Sequence, residues 1–153
     1  MAVATYTCTV YANAQPKAVH AGNVSVSGKL VHSGTVGDIL FLAKVPHGAD
    51  IIDFAEYHSN GQTAAAYSFG FDRGIAAGGA GNASCIAASQ AVATMNRLTL
   101  AASPTGQALR ISLSDLDPVR YAALQAKAES GTFTISVSLG WVLTYRVDGP
   151  DPA

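Results

Sequence analysis

The chain has 153 residues, of which 49% are apolar and only 12% charged, about half the usual charged share of a globular protein. Nine basic and ten acidic residues are scattered along it for a net charge of −1, so the concentrated positive field that nucleic-acid binding requires is missing. The length suits one domain with a real core, and no run approaches the ~20 apolar residues of a membrane-spanning helix.

The first residues lack the basic and apolar regions of a signal peptide, so synthesis and assembly in the cytoplasm are expected. Tyr6, Cys8 and Val10 alternate with threonines. Segment 1–16 therefore reads either as an arm that adds a strand to a neighbour's sheet edge through backbone hydrogen bonds, or as the first core strand. Thr5, Tyr6, Thr7, Thr9 and Val10 are the candidate protein-contact residues.

Residues 17–147 carry the domain itself, and 148–153 read as a flexible tail. Val24, Val26 and Leu30 alternate with Ser25, Ser27 and Lys29. A continuous apolar run, 39–45, and a mixed run, 50–58, follow on either side of Pro46-His47-Gly48. Tyr67, Phe69 and Phe71 alternate with Ser68 and Gly70. Residues 74–81 form a glycine-alanine loop, and the Ala-rich stretch 84–94, with Ser84 as a cap, predicts one short helix. Leu109, Ile111 and Leu113 alternate again. Asp117-Pro118 could open a helix, but Leu124, Ala126 and Ala128 alternate with Gln125 and Lys127, which favours a β-hairpin through Ser130-Gly131.

The clearest signal is the last. Phe133, Ile135, Val137, Leu139, Trp141, Leu143 and Tyr145 occupy every odd position, against mostly Ser, Thr and Gly at the even ones. Period-two alternation puts one set on a core face and the other outside, and Gly140 is the expected place for a bulge. Trp141 and Tyr145 belong to that core face. Turn chemistry separates the runs at Ser33-Gly34, Asn60-Gly61, 103–106 and Ser130-Gly131. Short strands with Gly and Pro between them give an all-β class: a single β-sandwich, jelly-roll-like, with about eight or more strands.

Catalytic and metal signatures are weak. There is no G-x-S-x-G elbow, and Gly78-Gly79-Ala80-Gly81 matches neither a dinucleotide nor a phosphate loop. The densest polar cluster is His47, Asp50, Asp53, Glu56 and His58. On a strand, Glu56 and His58 share one face and Asp53 takes the other, two ligands where a catalytic zinc needs three. A solvated edge is the expectation there. His20 and His32 read as surface or loop histidines, and Asp38, Asp115 and Asp117 as turn caps. Cys8 and Cys85 are too few for a disulfide framework; sequence separation leaves open whether they pair or stay buried thiols. No enzyme, cofactor or metal is expected.

Three pieces of the chain carry a resemblance. They are 36–53 (VGDILFLAKVPHGADIID), the central run Tyr67-Ser68-Phe69-Gly70-Phe71-Asp72, and Ser112-Leu113-Ser114-Asp115 with Tyr121 and Ser130-Gly131-Thr132-Phe133. Together they resemble the small structural proteins of tailed bacteriophages that decorate or cement the capsid head, over most of the chain from Lys17 onward. The resemblance implies a virion protein that binds the outer capsid surface, with the major capsid protein as partner and a homotrimer as its own state. It supplies no functional residues. Another virion subunit, in the tail or head-tail connector, and a carbohydrate- or receptor-binding sandwich remain the alternatives.

Overall fold

The computed structural model describes residues 3–13, 23–59, 65–75, 80–91, 96–99, 109–113, 116, 119–131 and 133–147. His20, the Asn60-Gly61 turn, residues 76–79 of the glycine-alanine loop, 92–94, 103–106, Asp115, Asp117 and the tail 148–153 lie outside the described residues, as do the side chains of 133–135. The described residues form ten strands and one short helix: β1 (Thr5–Thr7), α1 (Thr9–Asn13), β2 (Asn23–Gly34), β3 (Ile39–Pro46), β4 (Ala49–His58), β5 (Ala66–Arg73), β6 (Ala80–Ala91), β7 (Asn96–Thr99), β8 (Leu109–Arg110), β9 (Tyr121–Ser130) and β10 (Phe133–Val147).

One sheet runs β1-β3-β9-β5-β6 and the other β2-β10-β4-β7, with β8 also paired to β4. Leaving aside β1 and β8, the antiparallel pairs nest: β2 with β10, β3 with β9, β4 with β7, β5 with β6. Nested pairing of this kind is one long hairpin rolled up. The seams β10–β4 and β9–β5 close it into two four-stranded sheets, which is the jelly roll expected from the strand pattern.

The alternation in β10 does what its rhythm predicts: Val137, Leu139, Trp141, Leu143 and Tyr145 are all buried. On the opposite sheet the interior is filled by size matching across strands. Large rings of β5 sit directly opposite smaller residues of β9, in the pairs Tyr67–Ala128, Phe69–Ala126 and Phe71–Leu124. Same-face neighbours that alternate large and small reach close packing without strain. Phe54 of β4 meets Phe69 at 5.4 Å between ring centroids, joining the two sheets.

Three expectations are corrected. The helix near 84–94 is not formed, since 80–91 is strand β6 along the edge of β5. Alanine's helix propensity is a weak prior, and pairing an open sheet edge outweighs it. The strand over 121–130 exists, but it makes no hairpin with β10: at Ser130-Gly131 the chain passes from one sheet to the other. Gly140 is in regular register with Lys29 and Tyr57, and the irregularities of β10 fall at Phe133/Val137 and Thr144/Tyr145 instead.

Candidate functional site

The five candidate contact residues divide between two elements. Thr5, Tyr6 and Thr7 form β1, which pairs in parallel with β3 from Thr5–Ile39 to Thr7–Phe41. The Cys8 N–H donates to the Phe41 carbonyl at 2.9 Å, and the chain then coils, so Thr9 and Val10 lie in α1 rather than in an extended strand. Val10 packs against the core, and Cys8 is buried. The segment thus closes the side of the sandwich between β2 and β3. Cys8 and Val10 supply the apolar side chains of that contact.

A buried polar network fixes this corner. Asp38, where the chain crosses from β2 to β3, accepts the Ala4 N–H at Oδ1 (2.8 Å) and the Thr35 N–H at Oδ2 (2.9 Å). His32 Nε2 lies 3.0 Å from the same Oδ2, and His32 Nδ1 lies 2.7 Å from the Tyr67 hydroxyl. In the neutral ring, donating at Nε2 leaves Nδ1 to accept from Tyr67. Tyr6 adds its ring edge-on to His32 at 4.8 Å and donates its hydroxyl to the Ser33 carbonyl at 2.9 Å. Burial alone would raise the Asp38 carboxyl, but the Ala4, His32 and Thr35 donors outweigh it and hold the group below its ordinary value. Burial, reinforced by the charges of Glu56 and Asp38, pushes the Tyr67 hydroxyl well up.

His32 is therefore no surface histidine: it is fully buried. Its partner stands six positions on, across a turn at 35–38; Ser33-Gly34, expected as the turn, ends β2 instead. Asp38 does cap the turn, as expected, and also holds the ring. Tyr67, His32 and Asp38 line up like a proton relay, yet all three are sealed from solvent. Their hydrogen bonds tie β2, β5 and the turn before β3 together at this corner.

The second polar pair is also interior. His58 Nδ1 lies 2.7 Å from Glu56 Oε1, with both side chains buried, while Asp53 on the opposite face is exposed. The shared face was correctly expected, but a solvated edge was not: Glu56 and His58 follow Phe54 at every second position and so enter the core. Burial is the main reason the Glu56 carboxyl is raised, against the opposing pull of His58. Glu56 Oε2 has no hydrogen-bond partner among the described residues. Among those residues, no three His, Cys, Asp or Glu side chains gather as metal ligands. His47 instead accepts the Leu113 N–H at Nδ1, 2.9 Å away.

A raised carboxyl contributes fully to stability below its unfolded value of 4.5 and loses that contribution as pH rises through the folded value. Glu56→Gln keeps an acceptor for His58 and removes the ionisable group. It is expected to raise stability at pH 7 by roughly 1 kcal/mol, with the gain vanishing below pH 4.5. Urea unfolding at pH 7 and pH 4 measures both numbers; an equal effect at the two values contradicts the assignment.

Cys8 and Cys85 are both buried and unpaired. Burial pushes the Cys85 thiol up to about 11, and Cys8 Sγ donates to the Lys29 carbonyl at 3.3 Å. Neither thiol of the native protein is expected to react with a water-soluble disulfide reagent at pH 8 within the time that unfolded chain reacts completely. Rapid labelling of native protein would contradict this.

The outer face of the β2-β10-β4 sheet is mixed. Ser25, Ser27, Ser138, Val142 and Thr144 share it with the charged Lys29, Asp53 and Arg146, and Val31 and Tyr57 are exposed beside them. Because Gly140 has no side chain, a hollow of about 290 Å³ opens between Lys29 and Tyr57.

No family model matches the sequence, and no curated protein is significantly similar to it. Solved structures do match in fold. A chain in the capsid of Ralstonia phage GP4 superposes with a TM-score of 0.60 at 15% identity, covering 96% of this chain and 99% of that one. A chain in the capsid asymmetric unit of cyanophage Pam1 gives 0.52 at 16%, covering 91% and 97%. A third, in the acidic stable capsid of Helicobacter pylori bacteriophage KHP30, gives 0.53 at 16%, covering 83% and 90%. At these identities the likeness is one of fold, and it extends over most of each chain on both sides.

Proposed function

We propose that this protein is a structural component of a tailed-phage virion, which binds the outer capsid surface and stabilises the head. The observation that carries this reading is the end-to-end fold likeness to chains in three phage capsids, each of nearly the same extent as this one. The low charged share of the chain, 12%, supports it, because a surface rich in Ser, Thr and small residues loses little hydration when covered. So does the burial of the Tyr67-His32-Asp38 alignment.

In this reading the major capsid protein is the partner and the protein itself assembles as a trimer around it. Each contact is modest. Repetition over a closed shell multiplies them, so that opening the shell requires many to break together. Within the N-terminal segment, Thr5, Tyr6 and Thr7 offer the outer edge of β1 to a neighbour's strand, while Thr9 and Val10 support that edge from α1.

Reconstitution tests this reading. Capsids lacking the protein, incubated with the purified chain, are expected to take it up to a saturating copy number set by the shell's symmetry. They should then withstand several degrees more heating before releasing DNA. Uptake of only a ring's worth of copies would favour a tail or connector subunit, and no uptake would defeat the virion reading.

A further inference from the structure

Two of the nine basic residues and two of the six tyrosines meet at one rim of the β1-β3-β9-β5-β6 sheet. The Lys44 ammonium lies 5.2 Å from the centroid of the Tyr11 ring and 5.0 Å from that of Tyr121. Arg73 places its guanidinium 5.6 Å from the same Tyr121 ring and donates Nε–H to the Tyr121 carbonyl at 2.8 Å. Tyr11 is itself fixed, stacked on Phe41 at 5.2 Å. Four elements, α1, β3, β5 and β9, thus converge to hold one cation.

Lys44 makes no ion pair among the described residues. Asp72, whose charge reaches Tyr11, gives its Oδ1 to the Ala123 N–H at 2.7 Å. All four cluster side chains are only half-buried. A lysine normally keeps its ammonium mobile and hydrated; here two ring faces restrain it and exclude water from part of its surroundings. Its rotamer entropy is already spent, so a carboxylate that docks on it has less to lose. Tyrosine and arginine are also the residue types that carry interface energy.

We propose that the Lys44–Arg73 pair, framed by Tyr11 and Tyr121, is the docking point for an acidic segment of the capsid shell protein. Charge complementarity selects the occupant: the restrained Lys44 ammonium, with no ion pair among the described residues, calls for a carboxylate. The inference rests on the virion reading, and its test separates the two.

Capsids lacking the protein are titrated with purified wild type and variants by co-sedimentation at low and high salt. Wild-type binding is expected to weaken with salt, which needs no variant to observe. Lys44→Met, which keeps a stem between the rings but no charge, should bind about tenfold more weakly at low salt and show a flatter salt dependence. Lys44→Arg should bind like wild type, and circular dichroism reports whether each variant is folded. Salt-independent wild-type binding overturns the proposal, as does undiminished binding by folded Lys44→Met. A loss with Lys29→Gln instead, on the opposite sheet, would overturn it in favour of that face. Self-association abolished by Lys44→Met with capsid binding intact would assign the site to a second copy and overturn it too. Failure of wild type to bind at all defeats the virion reading itself.

Discussion

Replacing Asp38 by Ala is expected to destabilise the protein by about 3–5 kcal/mol, the usual cost of removing one partner from a buried charged network. The size follows from what is orphaned. Ala4 N–H, Thr35 N–H and His32 Nε2 all lose their acceptor, and His32 loses it at a fully buried position. Gly34 shows how tightly the carboxylate is held, since a methyl added there would collide with Asp38 Oδ2. For a domain of this length the melting temperature should fall by roughly 10 °C.

The pH dependence adds a second check. The Asp38 carboxyl is depressed, so its contribution is present above the unfolded value of 3.8 and is lost as pH falls through the lower folded value. The stability gap between wild type and Asp38→Asn should therefore be constant near neutrality and shrink in acid below 3.8. Calorimetry across that range measures it. A gap that does not narrow would mean that the carboxylate's charge is not what the corner uses. Release should begin at β1, because Ala4 is tied to Asp38 by one of these bonds.

Gly70→Ala is the second large effect, at about 3 kcal/mol or more. Between Phe69–Ala87 and Phe71–Asn82 the register jumps, leaving 83–86 as a wide bulge in β6. That bulge brings its backbone over Gly70, where a Cβ would run into the Asn82 carbonyl oxygen and the Ala83 backbone. Backbone on the far side cannot swing away as a side chain could. Gly140→Ala is the matched control, because the nearest atoms to a Cβ there are 3.9 Å away. Its effect should stay within about 0.5 kcal/mol, or be slightly stabilising in a strand. Equal melting temperatures for the two alanine variants would contradict the close approach of β6.

These sites show what the sequence made legible. The core face of β10 could be read directly, because period two is a local property of seven residues. The nested pairing could not, since β2 meets β10 more than a hundred positions later and nothing local sets that register. The face of Glu56 and His58 was readable, and the Phe54 beside them marked it as interior. Their charge argued for solvent, and the pattern prevailed over the charge. His32 and Asp38 carried a fainter signal, a histidine and an aspartate on either side of one tight turn. The Ala-rich stretch from 84 was misread because alanine reports propensity while the open edge of β5 decided the outcome. Residues 9–13 are too few for any period to be recognised, so α1 was hidden altogether. The Lys44 cluster draws on α1, β3, β5 and β9 at once, and only the fold assembles it.

A three-dimensional reconstruction of purified phage particles tests the central claim most directly. Density for this jelly roll is predicted on the outside of the head, repeated at every symmetry-related position, with the Lys44 rim turned toward the shell. Particles whose heads carry no such density, or which hold the chain only in the tail, would contradict it.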